Sequence, residues 1–385
     1  MNHNKMRRHV RIVCTLGPAS SSPKVIEGML KGGMDIARLN LAYGTLEEHS
    51  RLISEIRLLS QKLKHPTGIL LDLPGLKRRT GDMEAVFSDH LKFASSQGVD
   101  FIALSFISSA QQVKEVKALL QEMNTDIPVI VKIEQAPALE QSSLIIEVSE
   151  GIMVARGDLA LEISIEKVPL AQKQLIREAN RQGKPVITAT QMLESMVRSN
   201  IPTRAEATDV ANAILDGSDA LMLSEETAVG SYPVEAIEMM VRIALEAEAA
   251  FPYAQTLRER WQDYPPEVND ATARAACQIA HQVQAKGIIT FTTGGTTALR
   301  LSKYRPQHLI LAATPSETVV RRLSLVWGVL PIKKPELIKL EEIFELAREI
   351  ALEASIAKRG DLVVITAGLP LRVPGSTNLV RVQSV

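Results

Sequence analysis

The chain has 385 residues, a length that accommodates two or three domains. Apolar residues make up 45% and charged residues 23%, which is the balance of an ordinary globular protein. The 44 Lys and Arg residues equal the 44 Asp and Glu residues, so the formal net charge is zero, which argues against a broad surface for nucleic acid or membrane.

Eight short apolar runs follow one another between residues 11 and 224, and each is continuous rather than alternating. Strands that are buried on both faces of a parallel sheet have this pattern, because neither face meets water. The predicted strands are Arg11–Thr15, Ile36–Asn40, Gly68–Leu73, Phe101–Phe106, Pro128–Glu134, Gly151–Arg156, Pro185–Thr190 and Ala220–Ser224.

Helical patterns separate these strands. Apolar residues recur at helical spacing, and Gly183 follows one pattern as a capping glycine. Eight strand–helix repeats in about 215 residues match the size of a (β/α)₈ barrel of the TIM type. A doubly wound open sheet is the alternative, and the count of eight favours a closed barrel. The clearest helices are predicted at Pro23–Gly32, Thr45–Lys64, Ala110–Met123 and Pro169–Gln182.

The barrel is expected to occupy residues 1–250. Residues 251–268 combine aromatic and charged residues with a Pro pair, and we interpret them as a connection. Strands and helices alternate again in residues 269–385, which predicts a smaller three-layer α/β domain. Its strands are expected at Gly287–Phe291, Leu309–Ala313, Val329–Ile332 and Asp361–Thr366, with helices near 269–285, 296–303, 316–325 and 340–358.

Polar residues are concentrated where the predicted barrel strands end, which is where TIM barrels carry their active sites. Glu134 ends the fifth strand and Asp158 follows the sixth, so two carboxylates are expected on neighbouring strands. Such a pair suits Mg²⁺ or Mn²⁺ held by few protein ligands together with substrate oxygens and water. Lys132 points to the same side of its strand as Glu134, where it can stabilise developing negative charge.

Other residues at these strand ends suit an anionic substrate. Arg38 and Arg79 could clamp a phosphate or a carboxylate. Gly157 lets backbone N–H groups approach an anion before the next helix. Each residue also has an ordinary structural explanation, such as a surface ion pair, and Asp72 could simply pair with Arg38 or Lys77. Their coincidence at several strand ends favours a site.

A second candidate site lies in the C-terminal domain, where a Thr- and Gly-rich sequence opens a predicted helix. Its backbone N–H groups could bind a phosphate. A tight strand–helix turn with a threonine cap explains the sequence equally well. The residues are Thr292, Thr293, Gly294, Gly295, Thr296 and Thr297.

Long motifs in both domains resemble the pyruvate kinase family. In the barrel they are RIVCTLGPAS (11–20), ARLN (37–40), VKIE (131–134), GIMVARGDLALEI (151–163), GKPVITATQMLESM (183–196) and PTRAEATDVANAILDGSDALMLSEETAVGSYP (202–233). In the second domain they are TTGGTTALRLSKYRP (292–306) and GDLVVITAGLP (360–370). The resemblance extends over nearly the whole chain.

The resemblance implies a Mg²⁺- or Mn²⁺-dependent transfer of a phosphoryl group from phosphoenolpyruvate to ADP, which gives pyruvate and ATP. It implies that Lys132 stabilises the transferring phosphoryl group and the enolate, and that Thr190 takes part in protonation of enolpyruvate. It makes Glu134 and Asp158 the metal ligands. The residues implied in binding substrate and phosphate are Arg38, Asn40, Arg79, Ala155, Arg156 and Gly157.

Two segments depart from the family pattern. The family's Asn-Phe-Ser-His-Gly is replaced by 40–44, NLAYG, which removes a K⁺ ligand and puts Tyr43 where a histidine contacts nucleotide. In the family's Asp-Thr-Lys-Gly-Pro-Glu, the Thr becomes Leu73 and the Glu becomes Lys77. These changes resemble the K⁺-independent branch. The Lys77 ammonium beside Asp72 would take the place of the monovalent cation, so we expect activity without K⁺.

Family members also insert a small β-barrel lid domain between the third strand and the next helix. Here that helix is expected to start at Ser88, and only residues 82–87 stand in place of the lid. A segment of this length is too short to form a domain, and we therefore expect the lid to be absent. Because the lid closes over the nucleotide and excludes water, its loss is expected to weaken transfer to ADP.

Three functions are therefore open. The first is a K⁺-independent pyruvate kinase without a lid. The second is a metal-dependent tautomerase or decarboxylase of enolpyruvate or a 2-oxoacid that uses no nucleotide. The third is a non-catalytic, metabolite-binding regulatory subunit.

The resemblance and the composition also indicate partners and location. The resemblance implies a homo-oligomer, commonly a tetramer, and an effector phosphate bound at residues 292–297. No nucleic-acid or membrane partner is expected. The N-terminal residues contain no apolar secretion signal, and no apolar run is long enough to span a bilayer, so we expect a cytoplasmic protein.

Overall fold

The computed structural model describes residues 8–75, 81–259, 267–336, 339–370 and 376–385. The chain divides into two compact units, Met1–Ala249 and Ala250–Val385. Two of the predicted site residues, Lys77 and Arg79, lie outside the described residues.

The first unit is a closed barrel of eight parallel strands in sequential order, so the predicted (β/α)₈ fold is confirmed. The first three strands have the predicted bounds. Strands five and seven are shorter by one residue at each end, and strands four, six and eight are shorter by one or two residues at the carboxyl end. Nearly every strand residue is buried, because one face meets the barrel core and the other meets helices. The strands are β1 (Arg11–Thr15), β2 (Ile36–Asn40), β3 (Gly68–Leu73), β4 (Phe101–Leu104), β5 (Val129–Ile133), β6 (Gly151–Ala155), β7 (Val186–Ala189) and β8 (Ala220–Leu223).

Helices connect these strands, and several begin and end at residues suited to capping. The Thr45 hydroxyl accepts the Glu48 N–H at the start of α2, and Gly183 ends α8 with a φ of 67°. No helix in the described part of the chain is long and apolar enough to cross a membrane. The helices of this unit are α1 (Pro23–Gly32), α2 (Leu46–Leu63), α3 (Gly81–Ser96), α4 (Ala110–Glu122), α5 (Ala136–Glu140), α6 (Ser142–Val148), α7 (Arg156–Glu162), α8 (Val168–Gln182), α9 (Arg204–Asp216), α10 (Glu225–Ala228) and α11 (Pro233–Ala249).

Helix α3 begins earlier than expected. It starts at Gly81, so the predicted start at Ser88 is wrong, and residues 82–87 belong to its first turns. Only residues 74–80 separate β3 from α3, so this connection holds no lid domain.

The second unit contains a five-stranded sheet with helices on both faces, which confirms the predicted three-layer α/β domain. The strand order is β11–β10–β9–β12–β13. One apolar core includes residues of α13 and α14, and a second core on the opposite face includes residues of α16. The elements are α12 (Tyr253–Glu259), α13 (Val268–Gln282), β9 (Ile288–Phe291), α14 (Thr296–Lys303), β10 (Ile310–Thr314), α15 (Glu317–Leu323), β11 (Val329–Lys333), α16 (Leu340–Glu353), β12 (Leu362–Gly368) and β13 (Thr377–Ser384).

Two elements of this unit were not expected from the sequence. Helix α12 lies within the segment interpreted as a connection. Strand β13 pairs antiparallel with β12 at the edge of the sheet, and most of its residues are partly or fully exposed. Because β13 is not buried on both faces, it lacks the continuous apolar run that marked the other strands.

The close approach of β6 to its neighbours gives the first prediction. Gly151 begins β6, and a Cβ atom there would lie 2.8 Å from Pro185 O and 2.9 Å from Ile130 Cδ1. Since Pro185 O accepts the Ile152 N–H, the added methyl group would force β7 away from β6. We expect Gly151→Ala to lower the free energy of unfolding by about 1–3 kcal/mol in urea titrations.

Gly32→Ala is the matched control, because a Cβ atom at Gly32 meets its nearest neighbour, Ile237 Cγ2, at an ordinary 3.5 Å. Gly32 ends α1, and the control is expected to keep wild-type stability or exceed it. Equal stability of the two variants would contradict the packing described for β6.

A candidate active site at the carboxyl ends of the barrel strands

The carboxyl ends of the eight strands meet on one face of the barrel, as in every closed parallel barrel. The described candidate side chains of the barrel lie on these strand ends or directly after them. They are Arg38 and Asn40 on β2, Asp72 on β3, Lys132 and Glu134 on and after β5, Arg156, Gly157 and Asp158 at the start of α7, and Thr190 after β7.

Asp72 lies at the centre of a buried charged network. Its Oδ2 accepts hydrogen bonds from Arg38 Nε at 2.9 Å and from Arg38 Nη2 at 2.6 Å. Arg38 Nη1 donates to Thr15 Oγ1, so the guanidinium is held on two sides. Asp72 is 2% exposed, and a carboxylate at this depth is stable only when it is paired and hydrogen-bonded. The pairing with Arg38 is one of the two that the sequence suggested.

Lys132 joins this network to the next strand. Its Nζ donates to Ser105 Oγ at 3.0 Å, and Ser105 Oγ donates to Asp72 Oδ1 at 3.3 Å. The same ammonium lies 3.9 Å from Asp72 Oδ2 and 3.0 Å from Glu134 Oε2. The lysine is therefore fixed between two carboxylates and a hydroxyl at the strand ends.

Glu134 has one carboxylate oxygen bound by a backbone amide and a second that faces the Lys132 ammonium. Its Oε1 accepts the Phe106 N–H at 2.6 Å. Its Oε2 is buried and, although close to Lys132, has no hydrogen bond of good geometry among the described residues. Burial raises the pKa of Glu134, and the Lys132 ammonium opposes that effect. A buried carboxylate oxygen without a hydrogen bond fits a cation ligand.

Asp158 is the second carboxylate of this pair. It is exposed in the first turn of α7, and its charge contributes to the raised pKa of Glu134. The described residues contain no group of three or more His, Cys, Asp or Glu residues that could hold a metal. Two carboxylates are few for a protein site, but they suit Mg²⁺ or Mn²⁺, which keeps water and substrate oxygens as its other ligands.

Thr190 lies in a strained turn beside α7. Its φ is 70° and that of Gln191 is 53°, a conformation that β-branched residues seldom adopt. The Thr190 hydroxyl accepts the Gly157 N–H at 2.9 Å and donates to Ala189 O at 2.6 Å. The structure thus brings Gly157 and Thr190 together. It directs the Gly157 amide to Thr190, an arrangement that the sequence did not predict.

The side chain of Arg156 is turned into the protein. Its guanidinium bonds to the carbonyl groups of Ala189 and Thr190 and to Asp209 of α9. Ala155, which precedes it, is buried at the end of β6. If this segment binds an anion as predicted, it does so through its backbone.

The loop after β2 places Asn40 and Tyr43 on the same face of the barrel. Asn40 Oδ1 accepts the Ala42 N–H at 3.1 Å, and the Tyr43 carbonyl lies 2.8 Å from His49 Nε2. These bonds hold the backbone of the loop in place. The Tyr43 side chain, in contrast, is 75% exposed. An exposed aromatic ring therefore stands where the family pattern has histidine.

The second candidate site forms a tight turn between β9 and α14. The Gly295 N–H donates to Thr292 Oγ1, and Gly295 has a φ of 89°, so the turn depends on glycine there. Thr297 Oγ1 lies 2.7 Å from Thr377 Oγ1, while Thr293, Gly294 and Thr296 are exposed. Strand β9 lies beside β12 where the strand order reverses, which is where open α/β sheets bind ligands.

Three residues of the barrel site were not identified as site residues from the sequence. Ser105 follows the apolar run of β4, so the strand-end pattern could have identified it. Thr15 ends β1 and could have been found in the same way. Asp209 lies within α9, and no local pattern distinguishes it from a solvated helix carboxylate.

The architecture and the strand-end chemistry define a two-domain barrel enzyme. A family model described as pyruvate kinase, barrel domain, matches residues 7–89 and 87–237. A second, described as pyruvate kinase, alpha/beta domain, matches residues 270–383. The chain belongs to the pyruvate kinase family and is a pyruvate kinase-like enzyme.

Named relatives agree with this assignment. Proteins named pyruvate kinase from Sporosarcina psychrophila and Geobacillus stearothermophilus are each 36% identical to this chain, over 98% and 99% of its length and 80% and 81% of theirs. A pyruvate kinase of Staphylococcus aureus is 36% identical over 98% of this chain and 80% of its own. The alignment with the first spans 472 residues against a chain of 385, so the relative carries residues that have no counterpart here.

The burial of Asp72 gives the second prediction. Asp72→Asn leaves the Arg38 guanidinium buried without a counter-ion, so we expect the free energy of unfolding to fall by about 3–5 kcal/mol in urea titrations. The double variant Arg38→Met with Asp72→Leu, which removes both charges, is expected to recover much of that loss.

Asp89→Asn is the control, because Asp89 forms an exposed ion pair with Lys92 on α3 and should change stability little. The account of the network is wrong if Asp72→Asn is as stable as this control.

Proposed function

We propose that the protein transfers a phosphoryl group from phosphoenolpyruvate to ADP, with Mg²⁺ or Mn²⁺ and without K⁺. The observation that carries the proposal is the position of Lys132. Its ammonium is held by Ser105 and lies 3.0 Å from Glu134 and 3.9 Å from Asp72. A cation fixed at this point can stabilise both a phosphoryl group in transfer and the enolate left behind.

Arg38 supplies the second positive charge for the substrate. Two of its nitrogens are oriented by Asp72 and one by Thr15, so the plane of the guanidinium is fixed before a phosphate arrives. Preorganised donors of this kind cost little reorganisation during reaction. We assign Asn40, Arg79 and the backbone of 155–157 to the same substrate, as the family resemblance implies.

Glu134 and Asp158 are the residues that would hold the divalent cation. When bound, the ion supplies positive charge that offsets the charge of the substrate oxygens. We assign Thr190, whose hydroxyl is oriented by Gly157 and Ala189, to protonation of the enolate carbon. In this assignment Lys132, on β5, stabilises negative charge, and Thr190, after β7, takes part in moving the proton.

The nucleotide side of the site differs from that of the family. Seven residues, 74–80, connect β3 and α3, so no lid domain follows β3 to exclude water from the site. We propose that catalysis therefore proceeds with weakened nucleotide binding. The role of K⁺ is assigned to Lys77, whose ammonium would supply the charge of the monovalent cation, as the substitutions after β2 and β3 imply.

Two further assignments concern assembly and regulation. Leu161, Ile165 and Leu170, which lie close together in sequence, are 85%, 76% and 70% exposed. Exposed apolar side chains in such number support burial against another protein copy, and we propose a homo-oligomer. The turn of 292–297 lies at the strand-order reversal and exposes Thr293, Gly294 and Thr296, which supports an effector-phosphate site in the second domain.

The metal assignment gives the third prediction. Glu134→Gln removes the charged ligand, so we expect Mn²⁺ to bind roughly tenfold more weakly or worse in isothermal titration calorimetry. Glu140→Gln is the control, because Glu140 is exposed at the end of α5. Wild-type affinity in Glu134→Gln would contradict the assignment.

The reaction itself gives the fourth prediction. ATP formation from phosphoenolpyruvate and ADP should require Mg²⁺ and should be unchanged when K⁺ is replaced by tetramethylammonium. Lys132→Met should abolish ATP formation.

Lys77→Glu should make turnover depend on K⁺, whereas Lys114→Glu, an exposed change on α4, should not.

An oxaloacetate assay and binding measurements, run beside the ATP assay, distinguish the other functions that the sequence left open. Metal-dependent loss of oxaloacetate without ATP formation would replace the kinase with a decarboxylase. Binding of Mn²⁺ and phosphoenolpyruvate without any turnover would indicate a regulatory subunit. A strong K⁺ requirement in the wild-type protein would refute the role given to Lys77.

A further inference from the structure

The turn after β7 is held in a conformation that the chain does not adopt readily. Thr190 and Gln191 are consecutive non-glycine residues with φ values of 70° and 53°. Such residues persist in this region only when surrounding contacts determine their conformation. The contacts that hold the turn therefore decide where the Thr190 hydroxyl lies.

Arg156 makes the contacts that hold the turn backbone. Its Nε donates to Ala189 O at 3.2 Å, and its Nη2 donates to Thr190 O at 2.5 Å. The two carbonyl groups flank the Thr190 residue itself. A single guanidinium thus fixes the peptide groups on both sides of the Thr190 Cα atom.

The opposite edge of the guanidinium is anchored to two helices. Its Nη1 donates to both oxygens of Asp209 on α9, at 2.9 and 2.7 Å, and to Gln172 Oε1 on α8 at 3.3 Å. Its Nη2 also lies 2.9 Å from Met192 Sδ. The side chain of Arg156 therefore links α8 and α9 to the two carbonyl groups of the turn and acts as a brace between them.

The hydroxyl of Thr190 is fixed by the residue after Arg156. The Gly157 N–H donates to Thr190 Oγ1, and that hydroxyl donates to Ala189 O. Because Arg156 and Gly157 are consecutive in α7, the brace on the backbone and the bond to the hydroxyl belong to one rigid unit. A shift of the guanidinium would displace both.

We propose that Arg156 is a positioning residue that holds the Thr190 turn in its strained conformation and thereby sets the position of the reacting hydroxyl. The inference rests on the proposed phosphotransferase function, and it gives the Arg156 side chain a role separate from that of the 155–157 backbone. A displaced hydroxyl slows the step in which it takes part, while substrate binding, which is shared among Arg38, Asn40, the metal and the backbone of 155–157, changes less.

The test compares three variants. Arg156→Lys keeps the charge but cannot reach two carbonyl groups and a carboxylate together. Asp209→Asn keeps Arg156 and weakens its anchor. Arg181→Lys is the matched control, since Arg181 pairs with Glu178 within α8 and lies in the last turn of that helix, away from the carboxyl ends of the strands.

The steady-state constants for phosphoenolpyruvate are measured for each variant. Arg156→Lys should lower kcat on the order of tenfold to a hundredfold with little change in KM. Asp209→Asn should change kcat in the same direction by less, which keeps the test decisive if Arg156→Lys does not fold. Arg181→Lys should match the wild type. A rise in KM at unchanged kcat for Arg156→Lys would show that Arg156 contacts substrate, and would overturn the proposal.

Hydrogen–deuterium exchange of peptides covering 189–196 provides a readout that needs no turnover. Exchange should rise in Arg156→Lys and in Asp209→Asn but not in Arg181→Lys, because only the first two loosen the brace. Wild-type exchange in both would overturn the proposal. Absence of turnover in the wild-type protein would refute the proposed function instead, and the exchange pattern would then decide by itself whether Arg156 holds the turn.

Discussion

The buried carboxylate of Asp72 is the constraint on which the rest of the barrel site depends. A charge at this depth must be neutralised, because an unpaired one costs several kcal/mol. The guanidinium of Arg38 and the ammonium of Lys132 supply that neutralisation, with Ser105 between lysine and carboxylate. Lys132 in turn lies against Glu134. The groups assigned to phosphate, enolate and metal thus take their positions from one buried charge.

The site consists of two halves that differ in the structural elements from which they are built. The inner half is built from buried side chains on strand ends, and a strained turn at Thr190 is braced there by α7, α8 and α9. The outer half, above β2 and β3, offers an exposed Tyr43 and a connection of seven residues in place of a domain. The residues assigned to enolate and phosphate therefore lie on rigid elements, while only seven residues connect β3 to α3 on the side assigned to nucleotide.

The sequence predicted the barrel well because every barrel strand is buried on both faces, which leaves a continuous apolar run. Strand β13 was not predicted, because it lies at a sheet edge and has no continuous apolar run. Strand ends likewise marked Lys132 and Glu134 as site residues. The direction of a side chain is a tertiary property, so the sequence could not show that Arg156 turns inward to Asp209. Its motif suggested a backbone contact with substrate, and the structure directs the side chain to Asp209 and to the carbonyl groups of the Thr190 turn.

The central claim is that the inner half of the site works on enolpyruvate without a lid. Exchange of the pyruvate methyl protons with deuterium from the solvent, followed by proton NMR without nucleotide, tests it most directly. The account predicts exchange that requires Mg²⁺ and is lost in Lys132→Met and Thr190→Ala, while Arg181→Lys retains it. Exchange that survives in Lys132→Met, or its absence in a wild-type protein that binds Mn²⁺ and pyruvate, would contradict the account.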